Sequence, residues 1–181
     1  MIYALIALAI FPGIAISVHV YRKDLYEKEP LSYTIRAFLF GALSIFPATI
    51  GYALFESYFP AHKSALQTFI YTFGVVALFE EGAKFLFLRF YFFRKEQFNE
   101  PYDGIVYAVL IGMGFATFEN LFYVFGDGGG WGTAIVRIVT AVPAHAIFAV
   151  AMGYHVGMAK FHPTDRARLL LKGLLYAVVL H

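Results

Sequence analysis

The chain has 181 residues, of which 60% are hydrophobic and only 14% are charged. An average soluble domain is roughly a quarter charged and just under half apolar. This composition therefore excludes an ordinary soluble domain, a disordered chain and a nucleic-acid-binding protein. The net charge of +2 gives no argument for an acidic polymer as partner, and the absence of cysteine excludes disulfides, thiolate zinc sites and a cysteine nucleophile.

Long apolar runs bounded by charged residues predict an all-α fold, a polytopic transmembrane helix bundle that forms a single transmembrane domain over residues 1–181. A span needs about 20 residues. The last run has only 13 residues, so we expect five full spans plus a sixth helix cut short at the C-terminus, where the sequence stops in mid-membrane. In chain order the runs are Met1 to about Tyr21, Leu31 to Tyr58 with an interruption at Pro47, Ala65 to Phe93, Asp103 to Phe125, Thr133 to Lys160, and Leu169 to His181.

The basic residues alternate between the loops that join these runs. The odd-numbered loops and their edges carry 11 Lys and Arg residues, whereas the even-numbered loops carry one. Because basic loops stay in the cytoplasm, we expect a multi-pass protein of the cell membrane whose N-terminus lies outside. The lipid bilayer is the expected surrounding, and no nucleic acid is expected as a partner.

Polar side chains inside the apolar runs point to function. A charge near the bilayer centre costs at least about 2.5–3.5 kcal/mol, so these groups should face the bundle interior and find partners there. At about 1.5 Å of rise per residue, four of them could share one layer in the middle third of the membrane, namely Glu80, Glu119, His145 and His181. The full set is Glu80, Glu81, Lys84, Glu119, Asn120, Arg137, His145, His155 and His181.

Helical spacing sorts the members of this set. Glu80 and Lys84 are four residues apart and share a face, while Glu81 points about 100° away, so one lysine cannot relieve both carboxylates. His155 lies about 80° from the face of His145 and is not expected in the site. Arg137 is interpreted as a structural residue that extends outward towards the membrane surface.

Carboxylates and imidazoles at one depth suit the activation of a water molecule, and the same ligands suit zinc or another divalent metal. Such a site predicts hydrolysis of a peptide or related acyl bond inside the membrane. The His-Glu-x-x-His pattern of zinc proteases is absent, the five serines all precede the acidic layer, and two intramembrane aspartates are lacking.

Four motifs in order resemble the PrsW family of polytopic membrane proteases, which is similar to the Abi/CAAX-protease group. They are Glu80-Glu81-Gly82-Ala83-Lys84 (EExxK), Phe115 to Asn120 (FxxxEN), His145-Ala146 followed by Gly153-Tyr154 and Gly157, and His181, with Asp103-Gly104 before the second motif. The resemblance covers roughly Phe79 to His181. It implies an intramembrane metalloprotease or glutamate-type hydrolase that makes the first cut in an anti-sigma factor, which is its membrane-protein substrate, during regulated intramembrane proteolysis.

The resemblance implies an active site of Glu80, Glu81, Glu119, His145 and His181, to which Lys84 and Asn120 are added as catalytic candidates. Glu80 is expected to be the general base, oriented by Lys84. Asn120 is expected to bind a neighbouring helix or the substrate backbone, and His181 to complete the site or stabilise the oxyanion. The expected metal ligands are Glu81, Glu119, His145 and His181, with zinc as the expected metal.

Three other functions fit the same residues. A CAAX-type prenyl-protein protease would require a lipidated C-terminal cysteine in its substrate. A proton- or cation-coupled transporter would also place carboxylates and histidines at mid-membrane, although the sequence shows no internal repeat. A non-catalytic membrane scaffold would use the same groups for helix–helix contacts alone.

Overall fold

The computed structural model describes residues 1–24, 27–56, 64–126 and 128–181, and these residues form helices and turns without a strand. A π-helical turn, Thr72–Val76, joins α4 to α5, and short 3-10 turns lie at Phe92–Arg94 and Pro163–Asp165. The α-helices of these ranges are α1 (Ile2–Lys23), α2 (Leu31–Leu43), α3 (Ile45–Glu56), α4 (Ala65–Tyr71), α5 (Ala77–Phe90), α6 (Pro101–Phe125), α7 (Trp131–Val139), α8 (Ala141–Phe161) and α9 (Arg166–Leu180).

Four helical segments of the described chain are long and apolar enough to cross a membrane. They are Ile2–Lys23, Leu31–Glu56, Pro101–Phe125 and Trp131–Phe161. The third predicted run is helical as well, from Ala65 to Phe90, but it carries three charged side chains near its middle, Glu80, Glu81 and Lys84. The predicted polytopic helix bundle is therefore confirmed.

The structure moves two predicted helix boundaries. The second run is interrupted at Ser44, three residues before Pro47, and Pro47 lies in the first turn of α3. Proline is tolerated there because the first N–H groups of a helix have no intrahelical partner. The expected interruption at Pro47 was therefore wrong. The predicted end of the second run, at Tyr58, lies outside the described residues. The last helix begins at Arg166, three residues earlier than predicted.

Helix α6 is the centre of the bundle. Within its most apolar stretch 72% of the residues are buried, compared with 17% for α1 and 28% for the other two spans. Small residues let α8 approach it closely: a Cβ added to Gly153 would collide with the backbone of Gly104 and Ile105. Close packing of this kind is typical of helices in membranes. The central helix is therefore held from several sides, and it carries Glu119 into the interior.

We expect Gly153→Ala to destabilise the protein by about 1–3 kcal/mol, because its methyl group must displace backbone atoms that cannot rotate away. Gly132→Ala in α7 is the matched control, since a Cβ there meets no atom within 4 Å. Equilibrium unfolding in mixed detergent micelles measures both changes. Equal stability of the two variants would show that α6 and α8 do not pack as closely as described.

A buried carboxyl group ties the loop between α1 and α2 to the central helix. Glu29 is only 3% exposed, and its side chain accepts a hydrogen bond from the Tyr107 hydroxyl of α6. Burial, reinforced by the neighbouring Asp103 and Asp24 carboxylates, raises the pKa of Glu29 from its ordinary value of 4.5 to about 8. Folding therefore favours the protonated form of Glu29.

This raised pKa gives folding a defined pH dependence. The contribution of Glu29 to stability is complete below pH 4.5 and is lost as the pH rises to about 8, because ionisation then costs more in the folded protein than in the unfolded chain. We expect Glu29→Gln to lose stability less steeply than the wild type over this window, since the amide still accepts from Tyr107 but does not ionise. The free energy of unfolding, measured as a function of pH, checks this. Glu96 is exposed, so Glu96→Gln should show the same pH dependence as the wild type. An equal pH dependence of Glu29→Gln and the wild type would contradict the raised pKa of Glu29.

Candidate active site

Four side chains, from two helices and the chain end, converge in the bundle interior. Glu80 and Glu81 come from α5, His145 from α8, and His181 follows α9. One ligand atom from each of them lies within 4.8 Å of all the others. Three of these residues are almost completely buried and His181 is partly buried, so this is an enclosed polar cluster in an apolar bundle.

Lys84 lies at the centre of this cluster. Its Nζ is 2.6 Å from Glu81 Oε1, 3.7 Å from Glu80 Oε2 and 3.2 Å from His145 Nδ1, and it lies 3.9 Å from the centre of the Phe115 ring. Lys84 contacts Glu80, as the shared helix face predicted, but its contact with Glu81, which was expected to point away, is shorter. The lysine side chain reaches the carboxylate three residues back as readily as the one four residues back, and here the shorter contact is with Glu81.

The hydrogen bonds assign the tautomer of His145. An ammonium group has only donors, so Lys84 must donate to Nδ1, and the ring proton is on Nε2. This Nε2 lies 3.1 Å from Glu119 Oε2, to which it donates. Glu119 thus holds His145 as a neutral imidazole whose Nδ1 lone pair points towards Lys84 and the two α5 carboxylates.

Glu80 accepts hydrogen bonds on both carboxylate oxygens. Tyr52 of α3 donates to Oε1 at 2.9 Å, and His181 Nε2 lies 3.1 Å from Oε2. The contact with Tyr52 follows from local packing, because a Cβ on Gly51 would collide with the ring of Phe79, so α3 and α5 touch one residue before this pair. His181 Nδ1 is buried and has no hydrogen-bond partner among the described residues, which leaves its lone pair available as a ligand.

Arg137 extends into the protein and binds the second motif. Its Nη2 lies 2.5 Å from Glu119 Oε2, and its Nε donates to Asn120 Oδ1 at 2.6 Å. The expectation that Arg137 extends outward was wrong, because a buried carboxylate and an amide oxygen offer stronger partners than the lipid interface. Asn120 also donates to the carbonyl of Ala9 in α1 at 3.3 Å, and it thus binds a neighbouring helix.

Sequence reasoning missed two residues that contact this site. Arg137 was noticed as a charge in an apolar run but was assigned to the surface. Its contact with Glu119 was missed because the two residues are 18 positions apart on different helices, so helical spacing does not relate them. Tyr52 is one of 13 tyrosines, and nothing in its own segment sets it apart. His155 lies outside the site as predicted, where its Nδ1 is 2.9 Å from the Ala151 carbonyl and its ring stacks on Tyr176.

The donor set of the cluster fits a divalent metal. It offers two carboxylates and two imidazoles, which are ligands of zinc and similar ions, and one imidazole nitrogen, His181 Nδ1, has no other partner. The grouping differs from the predicted ligand set in one member: Glu80 belongs to it, whereas Glu119 lies on the far side of the His145 ring, at Nε2.

Comparison with known proteins places this arrangement in a family. The chain matches the family described as PrsW family intramembrane metalloprotease over residues 29–181. It is 39% identical over 180 residues to the Protease PrsW of Geobacillus kaustophilus, covering 99% of this chain and 77% of that protein. The chain belongs to the PrsW family.

Other relatives of the PrsW family agree with this assignment. The Protease PrsW of Bacillus subtilis is 34% identical over 181 residues, which cover 99% of this chain and 80% of that protein. The Protease PrsW of Halalkalibacterium halodurans is 34% identical over 179 residues, with the same coverage. No solved structure matches the chain.

Family membership confirms that this protein is an intramembrane protease, which hydrolyses peptide bonds of membrane proteins. The comparisons give no support to the transporter, the scaffold or the CAAX-type enzyme. The family is described as metalloproteases, and among the described residues the Glu80, Glu81, His145 and His181 cluster is where several metal ligands meet.

Proposed function

We propose that this chain is a multi-pass protease of the cell membrane, with its N-terminus outside, that cleaves a membrane-embedded anti-sigma factor at the Glu80, Glu81, His145 and His181 cluster. The observation that carries the proposal is the convergence of these four ligand atoms within 4.8 Å, from residues that are buried or half-buried inside the bundle. The choice of an anti-sigma factor follows from the PrsW resemblance, and the orientation from the basic odd-numbered loops.

In this proposal Glu80 is the general base. A carboxylate oxygen has two lone pairs, so Glu80 Oε1 can accept from a water molecule while it still accepts from Tyr52. The water oxygen attacks the carbonyl carbon of the scissile bond and its proton passes to Glu80. Glu80 then delivers that proton to the amide nitrogen as the carbon–nitrogen bond breaks.

Glu81, His145 and His181 are proposed to hold a divalent metal, with zinc as the proposed ion. Together they form the two-histidine, one-carboxylate donor set of catalytic zinc sites, which leaves Glu80 as the base. When bound, the metal would lower the pKa of water and polarise the scissile carbonyl. Lys84 Nζ contacts two of these ligand atoms, Glu81 Oε1 and His145 Nδ1, so metal binding competes with the ammonium group.

Glu119 has a separate role in the proposal. A histidine that binds a metal through one nitrogen donates its other N–H to a carboxylate or carbonyl, which fixes the ring. Glu119 meets this requirement at His145 Nε2, and Arg137 in turn fixes Glu119. We therefore assign Glu119 to the orientation of His145, in place of the direct ligation that the sequence suggested.

The test uses the purified protein in proteoliposomes with a single-pass substrate that carries an anti-sigma-factor transmembrane segment and a reporter at each end. We expect cleavage within the transmembrane segment, loss of cleavage on treatment with a zinc chelator, and recovery on adding Zn²⁺. His145→Gln should lose both bound zinc and activity, whereas His155→Gln, on the same helix but outside the cluster, should keep both. Cleavage that survives full removal of metal would overturn the metal assignment, and absence of cleavage by the zinc-loaded wild type would overturn the substrate.

A further inference from the structure

Tyr52 contacts the proposed reacting carboxylate, although neither the motifs nor the metal ligands include it. Its hydroxyl lies 2.9 Å from Glu80 Oε1, the oxygen that faces away from His181. Its ring packs against a small buried cluster that contains Ala48 and Phe115, so the hydroxyl is held from behind by apolar contacts. A positioned O–H donor beside the general base is therefore built into α3.

The reaction needs a donor at this place. When water attacks an amide carbonyl, negative charge develops on the carbonyl oxygen, and donors aimed at that oxygen stabilise the transition state. Lys84 is engaged by Glu81 and His145, and His181 is engaged by Glu80 Oε2. Tyr52 is a neutral donor that binds Glu80 Oε1, whereas Lys84 and His181 contact Oε2, and it lies on the side of Glu80 where the proposed water binds.

We propose that Tyr52 is the oxyanion donor of this protease, an inference that rests on the proposed function. The water oxygen forms its bond to the carbonyl carbon, the carbonyl π electrons move to the oxygen, and the water proton passes to Glu80. The Tyr52 hydroxyl then turns from Glu80 to the new oxyanion. When the carbon–nitrogen bond breaks, Glu80 gives its proton to the leaving nitrogen, and Tyr52 returns to the carboxylate.

The timing of this exchange follows from charge. A hydrogen bond to an ionised carboxylate is roughly twice as strong as one between neutral groups. Once Glu80 carries the water proton it is neutral, and its hold on Tyr52 weakens at the moment when the oxyanion appears. The geometry thus couples release of the donor to transfer of the proton.

Tyr52→Phe removes the hydroxyl and keeps the ring in place. We expect kcat to fall by about 10²–10³-fold, as for other single oxyanion donors, with KM changed less than about twofold. Affinity for a peptide phosphinate, which carries a tetrahedral anion, should fall by the same factor as kcat/KM, while the affinity of the corresponding uncleaved amide should stay unchanged. Tyr154→Phe makes the same chemical change on the exposed side of α8, where the residue is 52% exposed. It should leave kcat and the phosphinate affinity at the wild-type level.

Two further variants separate the possible failures. If Tyr52→Phe retains kcat within about threefold of the wild type while Glu80→Gln is inactive, the inference is overturned and the proposed function stands. If Glu80→Gln is fully active, the proposed function fails first. Should Tyr52→Phe not fold, 3-fluorotyrosine at position 52 keeps the shape and makes the hydroxyl a stronger acid, and an unchanged phosphinate affinity for this variant would also overturn the inference.

Discussion

Glu80→Gln is expected to lower kcat for cleavage by about 10²–10⁴-fold, because an amide cannot take the proton of the attacking water. The substitution preserves size, and the glutamine oxygen can still accept from Tyr52 or His181. KM should therefore change little, and the loss should lie in the chemical step. Initial rates of substrate cleavage in proteoliposomes, measured at several substrate concentrations, separate the two constants.

Two matched variants sharpen this test. Glu56→Gln, at the exposed end of α3, should leave kcat at the wild-type value. Glu81→Gln should also lose activity, but together with bound zinc, whereas Glu80→Gln should keep its zinc because Glu80 is not assigned as a ligand. Loss of zinc from Glu80→Gln, with zinc retained by Glu81→Gln, would exchange the roles of the two carboxylates.

Lys84→Met is expected to destabilise the metal-free protein by about 3–5 kcal/mol. The lysine is 3% exposed, and its ammonium is 2.6 Å from Glu81, which is 1% exposed. Removing one partner of a buried ion pair leaves the other charge without compensation in a medium of low polarity. Equilibrium unfolding in mixed micelles measures the loss, and Lys23→Met, at the exposed end of α1, should cost less than about 0.5 kcal/mol.

Two comparisons identify the cause of this loss. The double variant Glu81→Gln with Lys84→Met should be more stable than the sum of the single changes by about 0.5–3 kcal/mol, because the Glu81 charge is then no longer buried without its closest partner. Saturating Zn²⁺ should reduce the cost of Lys84→Met, since the metal and the ammonium share two contacts. Additive single effects, or a cost that zinc leaves unchanged, would mean that Lys84 contributes by packing against Phe115 alone.

Much of the fold could be predicted because each span is a local property of the sequence. Whether a run of apolar residues spans a membrane depends on its own length and hydrophobicity, and not on which other helices it packs against. The breaks inside spans were harder to place. The second run is interrupted at Ser44 and not at Pro47, because a proline in the first turn of a helix removes no hydrogen bond.

The sequence likewise predicted which residues form the candidate site, but not how they pair. The polar residues of the site could be identified from the sequence, because an ionisable side chain inside a membrane has a high free-energy cost unless it finds a partner. Their pairing was beyond local rules: Glu80 is 28 residues from Tyr52 and 101 residues from His181. Arg137 shows the difference most clearly, since the same side chain could reach the interface or the interior, and the position of α7 beside α6 determined its direction.

The sequence by itself determined that this protein is a helical membrane protein with carboxylates and histidines inside its spans, and its motifs placed it in a protease family. Only the tertiary structure decided that Lys84 bridges Glu81 and His145, that Glu119 sets the tautomer of His145, and that Tyr52 lies beside Glu80. The physical reason is that hydropathy and helical spacing act within one helix, whereas the chemistry depends on distances between helices, which are set by how the helices pack around α6.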